Sequence, residues 1–218
     1  MITISKAIED AITATPYLEE AMSKGIINLS ALARELKPRI KKQLYKKDVS
    51  DAALLMALKR YQPSLKKKAN PSRLYSEIEN ITVRSSLIEV TLKNSAEVDQ
   101  IRKDLMRVLA SERGHFFNFI QGVKESTLII SKDLEQVVTK HLSGKAMSKI
   151  TNLSSITISL PPENRTTPGI YYNLLKVLAW NNVNLVEIVS NYNEVSLIFD
   201  NSQIDKAFSL VKSLVSKN

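Results

Sequence analysis

Six cations fall within eleven residues: Lys37, Arg39, Lys41, Lys42, Lys46 and Lys47. Side chains of this kind can neutralise phosphates and release counterions, which gives nucleic-acid binding with a steep salt dependence. The same residues suit two other readings: a contact surface for an acidic protein, or the solvated face of a small helical bundle. The excess charge is local. Residues 34–73 hold thirteen Lys or Arg against three acids, residues 1–33 two against four, and residues 74–218 sixteen against fifteen. The net charge of +9 therefore belongs to one module.

Other chemistries find little support. There is no cysteine, which excludes disulfides, thiolate catalysis and Cys-ligated zinc or iron–sulfur sites. His115 and His141 are too few for a His-rich metal site, and the carboxylates are scattered without a nucleophile–base pair. The expectation is a non-catalytic protein with no metal and no cofactor. No apolar run reaches the roughly 18 residues that span a bilayer. The N-terminus lacks a basic n-region and carries Glu9 and Asp10, so a cytoplasmic protein with no membrane contact is expected.

The elements that would carry these residues change character along the chain. Residues 1–70 read as short helices. Ser5 is expected to cap a first helix with Ile4, Ala7, Ile8, Ala11 and Ile12 on one stripe. Thr15-Pro16 starts a second helix that Gly25 stops. Leu32, Ala33, Leu36, Ile40 and Leu44 form the apolar face of a third, which Pro38 is expected to kink or divide. A fourth begins at Ser50-Asp51. The stretch "QPSLKKKANPSRLYSE" (62–77) reads as a linker and sets the domain boundary.

Strand patterns begin near residue 80. Two short strands are expected at about 80–84 and 87–93, then a helix over 95–111 and the strands "HFFNFIQ" and "STLIIS". The helix "DLEQVVTKHL" follows. The order repeats from Ser154: "SSITISL", a loop, the helix "IYYNLLKVLAW" and the strands "NLVEIVS" and "EVSLIFD". The helix "SQIDKAFSLVKSLV" closes the chain. The copies align at an offset of 69, with Leu128-Ile129 on Leu197-Ile198. The fold class is α+β: an all-α module (1–70), then two ferredoxin-like units (78–147 and 150–218). Trp180 is expected in the core of the second unit.

The stretch "TTPGIYYNLLKVLAWNNVNLVEIVSNYNEVSLIFDNSQIDKAFSLV" resembles the ACT domain, an amino-acid-sensing module, and is most similar to the ACT domains of aspartate kinases. The features that match are Gly169-Ile170 opening a helix, "VLAWNNVNLVEIVSN", and "EVSLIFD". Residues 86–145 resemble the same family more weakly. An ACT domain has β-α-β-β-α-β order, and the second unit lacks its last strand. Aspartate kinases exchange strands between ACT units, so residues 81–84 are expected to supply it.

The resemblance implies a small-molecule effector, an amino acid, held between ACT units. It would contact the loop after the first strand and the start of the first helix. Here that loop is "PPENRTTPG" (161–169), which offers Asn164, Arg165, Thr166 and Thr167 as donors, with Gly169 and Ile170 at the helix start. Glu163 or Glu187 would take a cationic group. The alternative is a solvated loop in a unit that serves only to dimerise. The loop of the first unit, "KNSAE" (93–97), lacks Gly and Pro, so the second site is the better candidate. A homodimer is expected.

"LSALARELKPRI" resembles the opening of a helix-turn-helix, but Lys37-Pro38 and Gln43 depart from the pattern. A DNA-binding regulator in which the ACT pair dimerises is the alternative function, discriminated by salt-dependent DNA retention of residues 1–75.

Overall fold

The computed structural model describes residues 2–45, 48–65, 75–78, 80–142 and 146–216. Lys46 and Lys47, and most of the expected linker, lie outside the described residues. The chain divides into two compact units, Met1–Asn70 and Pro71–Asn218.

The first unit is helical: α1 (Ile4–Thr13), α2 (Pro16–Ser23), α3 (Leu29–Gln43) and α4 (Asp51–Leu65). The cap of α1 is Thr3, whose hydroxyl accepts from the Lys6 N–H, rather than Ser5. Asn28 caps α3 by accepting from the amides of Ser30 and Ala31. Pro38 does not divide α3, which runs as one helix across it. Its Leu32, Ala33, Leu36 and Ile40 are buried with Ala7, Ile8, Ala11 and Ile12 of α1 and Leu54 and Leu58 of α4.

The second unit is α+β, built on β1 (Ile81–Lys93), β2 (Phe117–Gln121), β3 (Glu125–Ser131), β4 (Ser148–Ser159), β5 (Glu187–Ser190) and β6 (Glu194–Asp200). They form one six-stranded antiparallel sheet in the order β2-β3-β1-β4-β6-β5. The helices are α5 (Ala96–Ser111), α6 (Glu135–Leu142), α7 (Ile170–Trp180) and α8 (Ile204–Val215).

The two short strands expected before Lys93 are one strand. Ser86, at φ 56°, carries the chain through a bulge instead of a turn. Across this point the register moves from Arg84↔Ser155 to Leu87↔Leu153, so β1 holds one extra residue. The next step, to Glu89↔Ile150, places one extra residue in β4, beside Asn152 at φ 60°. The two bulges cancel, and the long strands stay paired along their length. Residues 81–84 pair with 155–158, next to β6. Residues 89–91 pair with 148–150 and also with β3. Each long strand thus enters as an exposed segment beside one half of the sheet and continues as a buried strand of the other.

Two helix-covered cores follow from this layout. Ile88, Val90, Leu92, Leu128 and Ile130 pack with Val98, Ile101 and Leu105 of α5 and Val138 of α6. Ile156, Ile158, Val195, Leu197 and Phe199 pack with Ile170, Leu174 and Leu178 of α7 and Ala207 and Val211 of α8. A third cluster, Leu87, Phe116, Ile129, Leu153 and Ile198, takes the alternate residues of the central strands.

Trp180 is not in the core: it is 80% exposed. On α7 the buried residues are Ile170, Leu174 and Leu178, one per helical turn. Two residues beyond Leu178 is about 200° of rotation, which sends the indole to the opposite face.

Candidate functional site

The site is built around the loop between β4 and α7. Ser159 ends the strand and Ile170 starts the helix, so ten residues span the connection. Pro161 and Pro162 lead into a short 3-10 turn over Pro162–Arg165. Asn164 is buried, and its side-chain amide donates to the carbonyls of Pro161 at 2.8 Å and Tyr192 at 3.2 Å. The second bond fastens the loop to the β5–β6 turn. The Leu160 N–H donates to the Asn193 carbonyl at 2.6 Å and fastens it again. The Arg165 guanidinium lies over the Tyr192 ring, 4.9 Å from its centroid.

Gly169 stands at the N-cap of α7 with φ 86°, a left-handed conformation that costs a non-glycine residue about 1–2 kcal/mol. It has no side chain to cap with, so the first-turn amides keep their donor capacity and the positive end of the helix dipole stays open. Loop, helix start and turn border an open cleft of about 760 Å³ lined by Asn164, Arg165, Thr167, Gly169, Ile170, Tyr171, Tyr172, Ser190, Asn191 and Tyr192. Arg165 is the single charged residue in this lining. An anion has a guanidinium, hydroxyls and helix amides to meet there.

The cleft is anchored from below. Tyr75, buried at the entrance of the sheet unit, donates its hydroxyl to the Ile170 carbonyl in the first turn of α7. Burial pushes this phenol up to about 12.

Five of the eight residues named from the loop resemblance line this cleft: Asn164, Arg165, Thr167, Gly169 and Ile170. Glu163 and Thr166 do not. The Glu163 carbonyl accepts from the amides of Thr166 and Thr167, each at 3.1 Å, and so holds the turn. Glu187 is also outside the cleft, on β5, with its carboxylate accepting from the Ile188 N–H at 2.9 Å. It neighbours Glu89, a buried carboxylate on β1 whose Oε2 has no hydrogen-bond partner. Burial, and then the charge of Glu187, raise the Glu89 carboxyl above its ordinary value. Ser190, Asn191 and Tyr192 escaped the sequence reading, because a turn that follows an edge strand by one residue carries no pattern of its own. The "NYN" spacing between "EIVS" and "EVSLIFD" marked the turn without marking what it faces.

The corresponding connection in the first half, between β1 and α5, is only Asn94-Ser95. Asn94 is bound within the protein: its amide donates to the Gly122 carbonyl at 2.9 Å and its Oδ1 accepts from Ser126 at 2.6 Å. The Asn94 N–H donates to the Lys124 carbonyl at 3.0 Å.

On the helical unit, Lys37 pairs with Asp51 at 2.6 Å and Lys41 with Asp48 at 2.8 Å. These acids neutralise two of the six cations named as phosphate contacts. Arg39 and Lys42 are exposed on α3. Among the described residues, no group of three or more His, Asp or Glu side chains is arranged to hold a metal. No helix among them is long and apolar enough to cross a membrane.

No protein-family model and no curated protein matches the sequence. Solved structures do. Aspartate kinase from Clostridium acetobutylicum, described as an allosteric enzyme, superposes with a TM-score of 0.51 at 18% identity over 64% of this chain and 34% of its own. Aspartate kinase from Synechocystis gives 0.51 at 16% identity over 65% of this chain and 27% of its own. The regulatory subunit of aspartate kinase from Thermus thermophilus gives 0.48 at 16% identity, over 63% of this chain and 97% of its own. The chain spans 34% and 27% of the length of these two kinases, and the likeness is one of fold.

Proposed function

We propose that the second unit is an ACT-like regulatory pair, formed by two ferredoxin-like halves that share their long strands, and that it binds an amino acid without catalysing a reaction on it. The observation that carries this is the cleft at the start of α7. Arg165, the uncapped helix amides and the Thr167 hydroxyl meet there, at the end of a loop fastened on two sides. A carboxylate needs these groups, and an ammonium can take the backbone carbonyls of the Ser190–Tyr192 turn. The sheet pairing supports the shared-strand layout, since residues 81–84 stand where the second half needs its fourth strand. The fold shared with aspartate kinases, one of them described as allosteric, supports a regulatory role. The connection in the first half is only two residues long and its Asn94 is bound within that half, so the effector is assigned to the second half. The protein works in the cytosol and pairs through the exposed edges of β2 and β5.

A thermal-shift panel of the full chain against the twenty amino acids at millimolar concentration tests this. A ligand at about a hundred times its Kd adds about 2.7 kcal/mol, a shift of several degrees. A flat panel refutes effector binding.

A further inference from the structure

The chemistry of the cleft restricts the effector beyond "amino acid", and this step rests on the reading above. Its lining contains no carboxylate: Glu163 and Glu187, the two acids placed to receive a cationic group, both lie outside it. Its one charge is positive. Three tyrosines line it, and two of them already hold a cation of this chain on a ring face. Arg165 is 4.9 Å from the Tyr192 centroid, and Lys176, one turn along α7, is 5.2 Å from that of Tyr172. A tyrosine face attracts cations when it is open; here each of these rings already has one. A ligand with a basic side chain would bring a second positive charge beside Arg165 and the helix dipole, with no anion to offset it. An aromatic side chain meets the opposite situation. Tyr171 and Tyr172 are 37% and 46% exposed at the cleft and offer ring edges and faces for offset or edge-to-face packing. The Arg165 guanidinium, over the Tyr192 ring, sits beside these rings in the lining.

We infer that the cleft takes an aromatic carboxylate: a planar ring joined through a short linker to a carboxylate that meets Arg165 and the first amides of α7. Two sources share this chemistry, an aromatic amino acid and the corresponding 2-oxo acid. The ammonium of the amino acid would meet only the backbone carbonyls of the Ser190–Tyr192 turn, and the 2-oxo acid does without it.

The test is isothermal titration of the full chain with phenylalanine, phenylpyruvate, lysine and aspartate, repeated on Arg165→Ala and Tyr172→Leu. Both side chains are exposed, so the variants should melt as the parent does. The result expected is binding of phenylalanine, phenylpyruvate or both, and no heat from lysine. Affinity should fall about tenfold or more in Arg165→Ala and about threefold in Tyr172→Leu. The ratio of the two aromatic affinities separates the sources. Binding of lysine or aspartate without the aromatic pair overturns this inference and leaves the amino-acid reading standing. So does aromatic binding that neither variant weakens, because the ring and carboxylate would then sit elsewhere. Absence of binding by these four and by all twenty amino acids overturns both.

Discussion

Ile81 on β1 stands opposite Ile158 on β4, so a residue that precedes the first half of the sheet unit is built into the second. In its first four residues β1 has only β4 as a partner; from Leu87 onward it is held by β3 as well. The two halves therefore cannot be cut apart between residues 147 and 150 without breaking both.

A chain that begins at Ser85 should lose its partner for residues 155–158, whereas one that begins at Tyr75 keeps it. Native-state hydrogen exchange would follow the amides of Thr157 and Ser159, which face β1: the Ser159 N–H donates to the Asn80 carbonyl, and amides alternate sides along a strand. The shared strand predicts fast exchange there and a lower melting temperature in the shorter chain, at about 1 kcal/mol per ladder bond lost. Equal protection in the two chains would contradict the pairing.

Tyr75→Phe removes the hydroxyl that the Ile170 carbonyl accepts, and should cost about 1 kcal/mol at neutral pH. The pH dependence is more specific. The folded phenol lies at about 12, above the ordinary value of 10.0. Its contribution is thus fully present below pH 10 and is lost as pH rises through about 12, at up to about 1.4 kcal/mol per pH unit. Urea titrations between pH 9 and 12 should show a steeper loss in the parent than in Tyr75→Phe. Parallel curves would show that the phenol is not buried.

Glu89 is raised by burial and by Glu187, which gives the opposite of the usual acid limb. Because the folded value exceeds the unfolded one, this group favours the fold below about pH 4.3, and the advantage disappears as pH rises through the folded value. Glu89→Gln should therefore stabilise the protein at pH 7 and gain nothing at pH 4. Denaturation midpoints at the two pH values decide it; destabilisation at pH 7 would mean that the carboxylate has a partner.

Trp180→Ala should change stability by less than about 0.5 kcal/mol, as expected for an exposed side chain. Leu178→Ala, two residues earlier, should cost about 2–5 kcal/mol. A large loss in the tryptophan variant would place the indole in a contact that the fold of one chain does not contain.

The sequence pattern carried most of the elements because their apolar residues recur with the right period. The stripe Leu32, Ala33, Leu36 and Ile40 is buried as read, and the apolar runs of β3 and β6 are buried on both faces. The long strands were legible only in their buried halves. Residues 148–152 are exposed and mostly polar, and Ser85-Ser86 looks like a turn, so neither continuation follows from periodicity. Register across a bulge depends on a partner that lies some 70 residues away. Trp180 was misread by weighting its size above its angle on the helix. At the cleft, the loop was visible through its prolines, its glycine and the family resemblance. The turn at Tyr192 was not, because what places it there is the Asn164 side chain and the backbone hydrogen bond from Leu160 to Asn193.

The central claim is that the space between Arg165 and the start of α7 is a ligand site. Amide chemical shifts of the isotope-labelled full chain, recorded as an equimolar mixture of the twenty amino acids is added to millimolar concentration, test it most directly. The account predicts perturbations concentrated at Gly169–Tyr172 and Ser190–Tyr192, and their loss in Arg165→Ala. An unchanged spectrum, or shifts confined to the helical unit or to the Asn94 connection, would contradict it.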